Sequence, residues 1–214
     1  RSIINGSRHY TLEGANLPSV TTILKATQSE EDKAGIAAWK ERVGHKEAER
    51  IKNEASSRGS SMHSYIEKFL FGKFNLDLLG EENKSKKMAI EIIDNGLKNK
   101  LSEIWGAEAT VYYPGKYAGT ADCIGIYEGK ETILDFKQSN KPKKEEYIED
   151  YFLQIGAYSL AHDTVYNSKI IQGVILLCTV DGLFQDFKIE GNELKNFQNK
   201  FLERVEQFYN QFRK

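Results

Sequence analysis

Cysteine is nearly missing from this sequence, with Cys123 and Cys178 the only two in 214 residues. Two thiols so far apart provide no disulfide framework, no four-cysteine zinc site and no cysteine-ligated iron–sulfur cluster, and they make a reducing, intracellular compartment the expectation. Long apolar runs are missing too. Nothing approaches the roughly 20 residues that a membrane-spanning helix needs, so a soluble protein with no membrane role is expected. The third absence is an excess of basic charge: 30 Lys and Arg against 31 Asp and Glu leave a formal net charge of −1. That falls short of the basic footprint common in nucleic-acid binders. The exclusion applies to the molecule as a whole, because a phosphate responds to the local field and not to the sum.

What is present fits one globular domain spanning 1–214, with no repeat and no linker. After a turn-rich start (Asn5-Gly6, Glu13-Gly14), Ser19 caps a brief helix over Val20 to Leu24. From about Asp32 to Gly72 the chain reads helical in pieces, punctuated by Gly35, Gly44 and Gly59, and mostly polar. The last piece differs, because Met62, Ile66, Phe69 and Leu70 fall on one face, with His63 and Glu67 beside it. The stripe Met88, Ile92, Leu97, Leu101 and Ile104 predicts a helix from about Lys84 to Ile104.

The period then changes. Ala107 to Tyr113, Ala118 to Tyr127 and Glu131 to Lys137 are rich in β-branched and aromatic residues and are separated by Pro114-Gly115 and Glu128-Gly129, which predicts three antiparallel strands. A helix is expected from about Lys144 to Ala161, a buried strand over Ile170 to Cys178 and another near Leu183 to Ile189. Leu194, Phe197, Phe201, Val205, Phe208 and Phe212 make the C-terminal segment an amphipathic helix. The fold class is α/β, a central mixed sheet flanked by helices with an N-terminal helical region.

Strand alternation puts Asp135 and Lys137 on one side of their strand, and Asp122 lies on the strand that hairpins against it. Two carboxylates and an amine thus converge. Hard divalent cations take oxygen ligands, which Asp122, Asp135 and the carbonyl of Phe136 can supply, and a neighbouring lysine can stabilise charge developing on a phosphate. Taken alone, an Asp-x-Lys on a strand is most often a solvated face.

The succession Gly119-Thr120-Ala121-Asp122, Asp135-Phe136-Lys137 and Gln154-Ile155-Gly156-Ala157-Tyr158 resembles the motifs of RecB-like nucleases of the PD-(D/E)XK superfamily. Arg58-Gly59-Ser60-Ser61-Met62-His63 looks like that family's histidine-bearing helix, and Leu17-Pro18-Ser19-Val20-Thr21-Thr22 with Trp39 resembles the opening of the subgroup containing the mitochondrial genome maintenance exonuclease and its phage relatives. The motifs are individually weak; their order on helix, hairpin and helix is specific. Ala121 replaces the proline of the family's name, as is common in RecB-like members.

The resemblance implies a restriction-endonuclease-like core and a magnesium- or manganese-dependent DNA exonuclease without an iron–sulfur cluster, favouring single strands or free ends in replication, repair or recombination. It also implies His63, Asp122 and Asp135 as metal ligands, Lys137 as catalytic, and Arg58, Gln154 and Tyr158 as contacts to DNA. Residues 30–58 would form a helical clamp on the strand, although their alternating Glu equally suits a plain exposed helix. Glu108 is a weaker candidate for a metal, its place being filled by the histidine. Glu67 suits a supporting role or a surface ion pair, and Lys141, Lys143 and Lys144 suit phosphate contact or a solvated loop equally. The rival readings are a structure-specific endonuclease on the same core and a non-cleaving DNA-binding accessory protein. A start at Arg in place of Met reads as a trimmed chain, so bacterial or phage-infected cytoplasm is expected, and a mitochondrion if a targeting segment was removed.

Overall fold

The computed structural model describes residues 1–4, 6–12, 14–72 and 83–211. The expected turn residues Asn5 and Glu13 and the last apolar position, Phe212, lie outside them. The turn-rich start is a small antiparallel sheet of β1 (Ser2–Ile4), β2 (Ser7–Leu12) and β3 (Ala15–Pro18). The N-terminal region, expected to be helical, therefore opens with strands. Its strands are short and largely exposed, so they lack the alternation that announces a strand. Tyr10 and Leu17 nevertheless pack on Ala118, docking this sheet on the larger one.

Ser19 caps α1 (Val20–Ala26), its Oγ accepting from the Thr22 amide at 3.0 Å. Two longer helices follow, α2 (Glu30–Val43) and α3 (His45–Leu70). Of the three glycines expected to punctuate this stretch, only Gly44 breaks it, with φ +85° where an L side chain would be strained. No residue of α2 is buried, and α3 buries only Ala48 before Met62, Ile66 and Leu70 reach the core.

The helix expected to continue to Ile104 stops much sooner. Helix α4 (Lys84–Ile92) unwinds through a π turn over Ile93–Leu97, and Asn99 takes a left-handed φ of 62°. The Asn95-Gly96 pair and this turn redirect the chain, so Leu101 and Ile104 belong to a strand and their helical spacing is coincidental.

The central sheet runs in the order β4 (Leu101–Tyr113), β5 (Tyr117–Tyr127), β6 (Lys130–Ser139), β7 (Gln172–Thr179) and β8 (Phe184–Glu190). It is mixed, since β6 and β7 are parallel and every other pair is antiparallel. The crossover between the parallel strands is α5 (Glu149–Tyr166), and α6 (Gly191–Asn210) packs on it. One core lies between the sheet and α1, α5 and α6, including Ile23, Ile133, Phe152, Ile155 and Phe201. The other lies under α3 and α4, including Met62, Ile66, Met88, Leu134 and Phe136. No described helix is long and apolar enough to cross a membrane.

Candidate active site

Two backbone irregularities build the site. The β5–β6 ladder ends at Cys123↔Leu134, so the next residues outward, Asp122 and Asp135, stand where the strands part. The gap is closed by a side chain: Asp122 Oδ2 accepts the Phe136 amide at 2.7 Å. On the other side of β5, Glu108 of β4 has a left-handed φ of 48°, unusual for a residue with a side chain. Across from it, Ala121 faces the α5 core and Cys123 the α3 core, although plain alternation would put both on one face. Asp122 sits at this switch.

The two faces of the sheet bring different groups to the fork. From α3, His63 reaches over with Nδ1 3.5 Å from Asp122 Oδ1 and 3.8 Å from Glu108 Oε1. Its Nε2 donates to the Phe136 carbonyl at 2.8 Å. One ligand atom from each of His63, Glu108 and Asp122 lies within 4.8 Å of the others, a spacing that fits one metal ion. From β6, Asp135 and Lys137 point with Ile133 toward α5, and Lys137 Nζ is 2.5 Å from Asp135 Oδ2. This is an ion pair without hydrogen-bond geometry, since both oxygens of Asp135 are buried with no hydrogen-bond partner. The carboxylate is only 1% exposed; Oδ2 faces the Lys137 ammonium, and Oδ1 has no partner among the described residues, a costly position for a buried oxygen unless a cation lies beside it.

The proton balance follows. Burial alone would depress His63, but the Asp122 and Glu108 carboxylates overcome it and raise its pKa to about 10. Burial would raise Asp122, yet His63, Lys137 and the Phe136 amide hold it below its ordinary value. Burial dominates at Asp135, which Lys137 only partly offsets and Asp122 aggravates, and its pKa rises from 3.8 to about 6. Lys137 is pushed down by burial and held up, on balance, by Asp135 and Asp122.

His63, Asp122, Asp135, Lys137, Gln154 and Tyr158 all line one cleft of about 410 Å³, together with Glu67 and Glu108. Their groupings differ from the expected ones. Glu108, rated a weaker candidate, joins the histidine cluster, whereas Asp135 turns to Lys137. The Phe136 carbonyl, expected as a ligand, is engaged by His63 and fixes its ring, leaving Nδ1 as the atom facing the carboxylates. Gln154 and Tyr158, expected to hold DNA, line the cleft and are linked to the lysine: Lys137 donates to Gln154 Oε1 at 3.2 Å, and Gln154 Nε2 donates to Tyr158 Oη at 2.9 Å. Gly119 is explained by this relay, because a Cβ there would lie 2.4 Å from the Tyr158 ring. Arg58 is not among the residues lining the cleft; it ties α3 to β6 through Gln138 at 2.9 Å and Asn140. Glu108, named from the sequence as the weaker candidate, is brought beside His63 by its left-handed backbone, which the sequence does not announce.

No protein-family model matches the chain. It is 31% identical to mitochondrial genome maintenance exonuclease 1 of Mus musculus over 80% of its length and 30% identical to that of Homo sapiens over 78%. It spans about half of these relatives, 52% and 50% respectively. Among solved structures, a phage-related exonuclease from Haemophilus somnus aligns over 95% of this chain and 96% of its own, at 14% identity and a TM-score of 0.39, a likeness too loose to bear on function.

Proposed function

As a homologue of the mitochondrial genome maintenance exonucleases, with a RecB-like succession of PD-(D/E)XK motifs, the chain is, we propose, a magnesium- or manganese-dependent DNA exonuclease acting on single strands or free ends. The observation that carries this reading is the meeting of a three-residue ligand cluster, His63, Glu108 and Asp122, with the buried Asp135 carboxylate and the half-buried Lys137 paired to it, in one cleft.

His63 Nδ1, Asp122 and Glu108 are the groups to hold a cation, with Asp135 completing the shell from β6. A divalent ion there supplies Lewis acidity toward a phosphate and acidifies water. Lys137, fixed between Asp135 and Gln154, directs its remaining N–H bonds at the attacking water or at the phosphate oxygen gaining charge. Tyr158 and Gln154 hold that ammonium in place, and Asp122 keeps β6 in register at the fork through the Phe136 amide. Residues 1–214 act as one nuclease unit. The exposed α2 and first half of α3 form the clamp over 30–58; Lys33, Arg50 and Lys52 there are paired with Glu30, Glu47, Glu54 and Glu49, and Lys40, Arg42 and Lys46 are exposed cations.

The test compares end-labelled linear and closed circular single-stranded DNA with magnesium, manganese or chelator. Degradation of linear DNA alone, lost in chelator, supports the exonuclease. A cut circle replaces it with an endonuclease, and binding without cleavage under any metal overturns the enzyme.

A further inference from the structure

The cleft has a basic far wall that the chemistry above does not use. Strand β2 carries it. Tyr10 is anchored into the cleft, its Oη 2.9 Å from Thr120 Oγ1, two residues before Asp122. Arg8, two residues earlier on the same strand face, also lines the cleft. Its backbone is held firmly, because the Arg8 carbonyl accepts the Ser19 amide at 2.9 Å and the Thr22 hydroxyl at 3.0 Å. Its guanidinium, by contrast, is exposed and makes no ion pair or hydrogen bond among the described residues. A fixed backbone with a free cation at its tip is a poor investment for stability and a good one for binding an anion.

Arg8 and Thr21 also line a second groove of about 450 Å³, which continues past Ser7 and Thr22 to Lys25. Among the described residues, no acidic side chain lines this groove. The two depressions therefore share a wall, with the carboxylates confined to one side and uncompensated cations with hydroxyls on the other. A polynucleotide needs that division: the reacting phosphate goes to the ligand cluster, and its neighbour, carrying its own negative charge, requires a cation out of reach of the acids. Resting on the nuclease reading, we infer that the groove between β2 and α1 is a subsite for the nucleotides flanking the scissile phosphate, with Arg8 and Lys25 each contacting a backbone phosphate and Thr21 and Ser7 within the same track. The local positive field that the net charge of −1 conceals lies here.

The test measures binding of a labelled single-stranded oligonucleotide in chelator as a function of salt, for wild type, Arg8→Ala, Lys25→Ala, the double variant and Lys195→Ala, a lysine that lines neither depression. Each lost contact to a single strand lowers the slope of log affinity against log salt by about 0.7, equivalent to roughly fivefold weaker binding at 0.1 M salt. The double variant should thus lose about 1.4 in slope and roughly 25-fold in affinity, with KM for DNA rising and kcat retained. Lys195→Ala should match wild type. Arg8 and Lys25 are exposed, so unchanged thermal unfolding confirms intact variants. Wild-type slope and affinity in the double variant would overturn the subsite while leaving the nuclease reading intact; a wild-type protein that neither binds nor cleaves single strands would overturn both.

Discussion

Asp135 should destabilise the metal-free protein, and removing its charge should make the protein more stable while disabling it. The carboxyl is raised from 3.8 to about 6, chiefly by burial, even after the attraction of Lys137 is counted. At about 1.4 kcal/mol per pH unit, ionising it inside the fold costs about 3 kcal/mol relative to the unfolded chain. The sign follows from linkage: the folded state holds this proton more tightly, so the cost is absent below pH 4, grows between about 4 and 6, and is complete above 6. Asp135→Asn keeps the shape and removes the charge. In chelator at pH 8 it should gain up to about 3 kcal/mol, which for a chain of this size is about 6–12 °C in Tm. At pH 4 the gain should vanish. Denaturation in chelator across this range measures it directly, and saturating magnesium should raise the Tm of wild type more than that of Asp135→Asn. A variant no more stable than wild type at pH 8, or one whose advantage is equal at pH 4, would refute the reasoning.

Other consequences concern the same groups. Gly119→Ala brings a Cβ to 2.4 Å from the Tyr158 ring and should cost about 1–3 kcal/mol as overpacking, together with activity, whereas Gly35→Ala, with nothing within 4 Å, should leave stability equal or improved; parallel denaturation curves decide. Because His63 holds its proton up to about pH 10, a ligating Nδ1 must first release it, so metal affinity measured calorimetrically should climb by about tenfold per pH unit between pH 7 and 9, and His63→Ala should abolish that climb. Gln154→Ala breaks the link from Tyr158 to Lys137 and should lower kcat by about tenfold or more with metal affinity unchanged, as read by steady-state kinetics and calorimetry.

The motif-bearing elements were legible because their periods are clean: the hairpins of β4, β5 and β6, the apolar β7 and the α6 stripe all follow from alternation or helical spacing. The convergence of Asp122, Asp135 and Lys137 was legible for the same reason. Leu101 and Ile104 misled because a residue's spacing says nothing of the π-helical segment Ile93–Leu97 and the left-handed Asn99 that intervene. The position of Glu108 beside His63 depends on one backbone angle, and the link from Tyr158 through Gln154 to Lys137 exists only after α5 crosses between β6 and β7, so neither could be read from spacing. The N-terminal sheet escaped notice because strands this short and exposed carry no apolar pattern.

Single-turnover hydrolysis of an end-labelled single-stranded oligonucleotide, with magnesium or chelator and with wild type, Asp135→Asn and Lys137→Ala, tests the central claim most directly. Cleavage by wild type with magnesium alone, reduced by at least about a hundredfold in both folded variants, is the predicted result. Cleavage that persists in chelator, or that survives loss of Lys137 and the Asp135 charge, would contradict the assignment of this cleft as a metal-dependent nuclease centre.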